Sequence, residues 1–263
     1  MKNGSKYSSI GWQHPKGLCY VSEKYKVIFV PIPKNASTSI RNIHEFGFHT
    51  SNIMSYEKAL KEGEYRAFAI IREPIKRLLS GYIEVCARAS GDSPHILSKD
   101  FYWEKGKERF YKFLDELEKE LFDAHLFPQN YFLTDYRGKP FLIDTYIDIK
   151  YLTKMLPDVL DKYGVNLPAV PRLNVHGVKR SVGIANKFKR KIKIAYARRT
   201  LYYLMDYIVR TLQRKRIPNP AEVQDYIYGD KKLLHRIEAL LESDIKFIEK
   251  IKKEMKNKSF GIY

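Results

Sequence analysis

The chain has 263 residues, enough to bury a sizeable core as one α/β domain with a helical appendage or as two small domains. Hydrophobic residues make up 44% and aromatics 14%, which excludes disorder as the default state. The formal net charge of +18 draws polyanions (nucleic acid, anionic lipid, a phosphorylated cofactor or an acidic glycan) without choosing among them.

Residues 1–20 read as an irregular lead-in. Lys26 to Pro31 is a short apolar run, rich in β-branched residues and stopped by proline, which predicts a buried strand. A polar turn over 32–36 follows. Apolar residues at 40, 43 and 46 then predict a helix over 37–46, with Gly47 as its stop. The shape repeats at 67–71, where a second strand leads into the turn Arg72-Glu-Pro74 and a helix over 75–89 with Pro74 near its first position. Two strand-turn-helix units in succession predict a parallel α/β sheet with its ligand at the strand C-termini.

Residues 90–106 read as a loop, 107–120 as a helix, 141–147 as a third strand and 151–163 as a helix closed by Gly164. Proline-rich 167–171 breaks the chain. The stretch beyond it, 185–216, is helical in composition, and a last helix is expected over 230–255 with Leu233, Ile237, Leu240, Leu241, Ile245 and Ile248 as its apolar stripe. Charge concentrates in the same region: from Lys179 to Arg216 thirteen Lys/Arg face one acid, Asp206, a net of +12.

Cys19 and Cys86 fall in no metal-ligand pattern, so no zinc site is expected. A single disulfide stays open, but two buried thiols in a reducing compartment are the expected state. The first seventeen residues carry no apolar signal core, and no window reaches about 18 uninterrupted apolar residues. Cytoplasmic placement is the resulting expectation.

Two strings carry the chemistry. Pro33-Lys-Asn-Ala-Ser-Thr-Ser39 joins the first strand to its helix. A turn entering a helix start aims backbone N–H groups outward, and Ser37, Thr38 and Ser39 add hydroxyls while Lys34 adds a mobile charge. The plain alternative is a serine helix cap. In Arg72-Glu-Pro-Ile-Lys-Arg-Leu-Leu-Ser-Gly-Tyr82, a guanidinium at a strand end and Ser80 on the following helix can hold a phosphate by directed hydrogen bonds; taken alone, the plain alternative is a surface arginine.

Together these strings resemble the PAPS-dependent sulfotransferase superfamily, in particular its membrane-type carbohydrate branch, which includes the chondroitin/dermatan and heparan sulfate 2-O-sulfotransferases. PAPS is 3′-phosphoadenosine 5′-phosphosulfate. In such enzymes a PKxxxTS-like loop binds the 5′-phosphosulfate and an RxPxxRLxSxY-like stretch binds the 3′-phosphate. The resemblance implies a P-loop-like parallel sheet flanked by helices, with Pro33, Lys34, Asn35, Ala36, Ser37, Thr38, Ser39, Arg72 and Ser80 on the donor, PAPS as donor and no metal. Asp123-Ala-His-Leu-Phe-Pro-Gln129 resembles the DxHxxPQ element of the same branch, and Tyr228-Gly-Asp230 a C-terminal signature. Leu173 to Arg180 resembles a segment making late nucleotide contacts, in which Lys179 and Arg180 would close over the 3′-phosphate; a solvated loop is the other reading.

Lys34 would neutralise charge on the leaving phosphate, and His125 is the chosen general base, since an imidazole titrates near neutrality. A structural role for His125 stays open, as do Glu45, His44 and His49 as the base. The chain departs from the branch in lacking an HxH pair over 50–66, and Lys150 stands near the place of the glutamate that follows the third strand. The expected organisation is a donor-binding α/β core over 1–178 and a helical, strongly basic C-terminal extension over 179–263 that packs on it. The expected acceptor is a hydroxyl of a glycan or glycolipid. The basic stretch 187–216 is open between an acidic-glycan platform, an amphipathic helix on anionic membrane and a solvated face. Nucleic acid is not the favoured partner, although charge alone permits it. Two rivals stand beside this reading. A P-loop kinase would need GxxxxGK followed by Ser or Thr, and the loop here has no glycine. The other is an inactive basic anion-binding protein of the same fold.

Overall fold

The computed structural model describes residues 15–88, 106–119, 123, 125–165 and 218–257. The 1–14 part of the lead-in, almost all of the 90–106 loop, the 167–171 break, the basic stretch 179–216, and Lys179 and Arg180 with it, lie outside the described residues.

A five-stranded sheet forms the centre, in the order β3-β1-β2-β4-β5. The strands are β1 (Leu18–Ser22), β2 (Val27–Val30), β3 (His49–Asn52), β4 (Arg66–Ile71) and β5 (Thr145–Asp148). β2, β4 and β5 run parallel, as the repeated units predict, with Phe29 opposite Phe68 and Ile70 opposite Ile147. The expectation of a wholly parallel sheet is corrected on the other side, where β1 is antiparallel to both β2 and β3. The result is a mixed sheet flanked by helices.

Alternation along β4 explains the layering. Ala67, Ala69 and Ile71 face one side, and Phe68 and Ile70 the other, and all five are buried. On the first side lie α5 (Gln129–Leu133) and α9 (Glu242–Asn257), through Phe132, Leu133, Ile248 and Ile251. On the second lie α1 (Ser37–Arg41) and α6 (Leu152–Lys162), through Ile40, Leu152, Leu156 and Leu160. A third apolar cluster surrounds Tyr82, where α3 (Pro74–Arg88) meets α4 (Gly106–Lys119), α7 (Pro220–Gly229) and α8 (Lys231–Leu240). A short α2 (Glu57–Glu62) links β3 to β4. The C-terminal helices thus share their apolar faces with the sheet and with the helix that follows Arg72.

Three boundaries differ from expectation for physical reasons. The helix predicted over 37–46 ends at Arg41 and continues as a 3₁₀ turn over His44–Phe46. Its apolar residues recur strictly every third position, which is the 3₁₀ period, and all three still reach the core. The third strand begins only at Thr145, because the Phe141 amide donates to the Leu133 carbonyl and Asp144 closes the start of β4, accepting from the Ala67 amide at 2.7 Å. The last helix is two, broken at Leu241, and α7 precedes them. Cys19 and Cys86 are both buried free thiols, and burial pushes their pKa values up to about 12 and about 11.

Asp230 fastens α8 to α4. Its carboxylate caps α8 by accepting from the Lys232 and Leu233 amides, and it accepts from Lys107 Nζ at 2.8 Å and Tyr111 OH at 3.0 Å. These bonds, Lys107 first, hold its carboxyl well below the usual carboxylate range. A depressed folded-state pKa stabilises above the unfolded value and loses that stability as pH falls through the folded one. Asp230→Asn is therefore expected to lower Tm at neutral pH, with the difference from wild type shrinking as pH falls from about 5 to about 2. Thermal melts across that range check it; a pH-independent difference would remove the charge from the account.

Candidate active site

The β2–α1 turn and the end of β4 lie side by side because β2 and β4 are parallel neighbours. In the turn, Lys34 (φ 70°) and Ala36 (φ 58°) both adopt left-handed backbone with no glycine present. Each costs about 1–2 kcal/mol relative to the right-handed region. Strain of this kind persists where surrounding contacts over-determine it. Those contacts are on hand. Arg72 Nη1 donates to the Lys34 carbonyl at 3.1 Å, and Arg77 Nε donates to the Pro33 carbonyl at 3.2 Å. Two guanidiniums from one strand end and one helix thereby brace the back of the turn.

The predicted donor residues divide in the structure. Ser37, Thr38 and Ser39 stand at the start of α1, Thr38 exposed and the two serines half-buried. Lys34 is largely buried, its side chain 12% exposed, and its Nζ meets Glu84 Oε2 of α3 at 2.6 Å. Arg72 is half-buried, and burial lowers its guanidinium pKa against the opposing pull of Glu73. Ser80 is half-buried on α3. Pro33 is buried. Asn35 turns inward and is fully buried, with Nδ2 donating to the Ile70 carbonyl at 2.8 Å and to Gln129 Oε1 at 2.7 Å.

His125 Nδ1 sits 2.6 Å from Asp123 Oδ1, and the same oxygen accepts from the His125 amide at 2.8 Å. A carboxylate accepts only, so Nδ1 carries the proton in the neutral ring and the basic lone pair lies on Nε2. The histidine segment is docked on α3 at Gly81, where a Cβ would stand 2.7 Å from Leu126 Cδ2 and 3.2 Å from the His125 carbonyl oxygen. Gly81 is one turn before Glu84, which pairs with Lys34, so the Lys34 side chain and the backbone of the His125 segment meet the same stretch of α3. His44 and His49 belong elsewhere: His44 to the 3₁₀ turn after α1, and His49 to the edge strand β3.

This arrangement can grip an anion with several fixed cationic groups and take a proton at Nε2. Among the described residues no cluster of His, Cys, Asp or Glu could hold a metal ion. The family model of the Sulfotransferase family matches residues 19–247. The chain belongs to the sulfotransferase family. Its chemistry is sulfuryl transfer, and the matched stretch runs from β1 into α9, taking in Lys34, Arg72 and His125. No curated protein and no solved structure matches the chain. Among the described residues, no helix of this sulfotransferase is long and apolar enough to cross a membrane.

A buried polar cluster behind the site was not foreseen. Gln129 and Asp244 are 0% and 1% exposed. Asp244 Oδ1 accepts from the Gln129 amide at 2.6 Å, and Gln129 Nε2 donates to Asp244 Oδ2 at 3.2 Å. The Gln129 side chain also exchanges two bonds with the Arg72 backbone, accepting from its N–H at 2.9 Å and donating to its carbonyl at 2.8 Å. Burial pushes the Asp244 carboxyl up, opposed first by the positive charge of Arg77. Burial also pushes the Arg77 guanidinium down to about 10, which leaves it charged at neutral pH. One signal was available: position 244 lies on the apolar face between Leu241 and Ile248, where an acid must find partners.

Proposed function

We propose that this protein transfers the sulfuryl group of PAPS to a hydroxyl of a carbohydrate, a glycan or glycolipid, by in-line displacement. The observation that carries the reading is the juxtaposition of Lys34 and Arg72, whose strand ends are adjacent and whose groups are joined by the 3.1 Å bond from Arg72 Nη1 to the Lys34 carbonyl. A nucleotide with a phosphate at each end of its ribose suits two cationic anchors on neighbouring strand ends.

PAPS supplies the activated sulfuryl group. Lys34 neutralises charge growing on the oxygen that leaves with the 5′-phosphate, and Arg72 with Ser80 holds the 3′-phosphate and so fixes alignment. The strained turn keeps Lys34 aimed before the ligand arrives. His125 Nε2 takes the proton of the acceptor hydroxyl, and Asp123 steadies the imidazolium that results. The net charge of +18 favours an acidic acceptor, and the basic stretch 187–216 is the platform we assign to it, with peripheral contact on anionic membrane as its other use.

The test is turnover of PAPS to adenosine 3′,5′-bisphosphate by the purified chain with a panel of glycan acceptors. His125→Ala is expected to lower kcat by about 10²–10⁴-fold while leaving bisphosphate affinity unchanged. Binding of ATP with Mg²⁺ in place of PAPS would overturn the donor assignment, and undiminished turnover by His125→Ala would overturn that of the base.

A further inference from the structure

We propose that Asp244, on the C-terminal helix α9, is a positioning residue for the donor site, acting through the Gln129 amide on Arg72 and on the lysine turn. The inference rests on the reading of Lys34 and Arg72 as donor ligands.

The case is one of hydrogen-bond orientation. A primary amide has two N–H donors and one oxygen with two lone pairs, and Gln129 uses all four. Oε1 accepts from Asn35 Nδ2 and the Arg72 amide, and Nε2 donates to the Arg72 carbonyl and Asp244 Oδ2. Turning the amide over would set Oε1 against the Asp244 carboxylate and the Arg72 carbonyl, and would point Nε2 at two other donors. Asp244 is an acceptor on both oxygens, so only one orientation of Gln129 is compatible with it. The acid also accepts from the Gln129 and Asn130 backbone amides, which pins the start of α5 against α9.

From Gln129 the order passes outward along two short routes. Through the Arg72 backbone it sets the stem of the guanidinium that holds the Lys34 carbonyl. Through Asn35 it sets the middle of the turn, between the two left-handed residues, and Asn35 also grips the Ile70 carbonyl at the end of β4. The charge of Asp244 further faces Arg77, whose Nε holds the Pro33 carbonyl. A single buried carboxylate, more than a hundred residues downstream, is thus connected to both anchors of the nucleotide.

The experiment compares Asp244→Asn with Ile248→Ala in the full chain. Ile248 is buried on the same helix, packs in the apolar cluster and makes no bond to Gln129, so it controls for loss of helix stability. Hydrogen exchange over residues 33–39 and binding of adenosine 3′,5′-bisphosphate by calorimetry are the readouts. Both variants are expected to lower Tm. Asp244→Asn is expected to speed exchange in the turn by about tenfold and to weaken bisphosphate binding by about tenfold or more, since misplaced ligands lose alignment steeply. Ile248→Ala is expected to leave both within about twofold. Should Asp244→Asn not fold, Asp244→Glu, which moves the charge by one methylene, makes the same comparison. Unchanged exchange in the Asp244 variant, or equal changes in both variants, would overturn the proposal. A wild-type chain that fails to bind the bisphosphate while Asp244→Asn still loosens the turn would sink the donor reading and support the clamp.

Discussion

Lys34→Ala is expected to lower kcat for PAPS turnover by about 10²–10³-fold, the usual cost of removing one preorganised charge from a developing anion. The expectation follows from where the ammonium sits. It is largely buried, held at 2.6 Å by Glu84, and carried on a turn whose backbone is already bent into shape. Solvent therefore screens it little, and little reorganisation is needed at the moment of transfer. Lys34→Arg should restore only a small part of the rate, because a planar guanidinium cannot occupy the place of a compact ammonium against Glu84. Steady-state kinetics decide the matter. A raised KM with kcat untouched would mean that the lysine binds ground and transition states alike, and its catalytic role would be withdrawn. Lys34→Ala should also lower Tm, because it takes the ammonium from the Glu84 carboxylate, while the left-handed backbone bears similar strain with either residue.

Gln129→Leu is expected to be the most destabilising single change near the site, by about 3–5 kcal/mol. Leucine fills roughly the same volume but leaves the Arg72 N–H and carbonyl without the bonds they make to Gln129, takes one acceptor from Asn35 Nδ2, and strips one donor from the buried Asp244 carboxylate. Among the described residues, Asn35 Oδ1 and Arg77 Nη2 are already buried without a hydrogen-bond partner, so the loss adds to unsatisfied polar atoms that the cluster already carries. Urea denaturation measures it. A loss below about 1 kcal/mol would show that the four amide bonds contribute no more than one ordinary hydrogen bond, and the cluster would cease to be an organising centre.

The parallel half of the sheet was legible because its strands are short apolar runs ended by proline or by a charged turn, at Pro31 and at Arg72. The antiparallel half was not. β3 reads His-Thr-Ser-Asn, and its first two residues are exposed at the edge of the sheet, so no hydrophobic alternation marks it. The same division runs through the site. Lys34 and Arg72 were singled out because the two strings that hold them, each following a strand, together resemble a family's donor-binding pattern; either charge alone reads as an ordinary surface residue. Asn35 was visible as part of the same string, but the sequence does not say which way a side chain turns, and it turns inward. Gln129 lay inside a quoted motif without a role, because an amide acquires one only from its neighbours, and these come from residues 35, 72 and 244. Glu84 sits among apolar residues of α3 and reads as a helix surface acid until the sheet brings Lys34 beside it.

A phosphate-binding turn built on glycine is soft, and it surrenders chain entropy each time a ligand is captured. The turn here has a lysine and an alanine where the backbone is left-handed, so its shape is settled once, as the polypeptide folds. On the proposed reading of the turn as a donor site, capture would proceed on a rigid template, with the conformational penalty already met by the cohesion of the whole globule instead of by affinity.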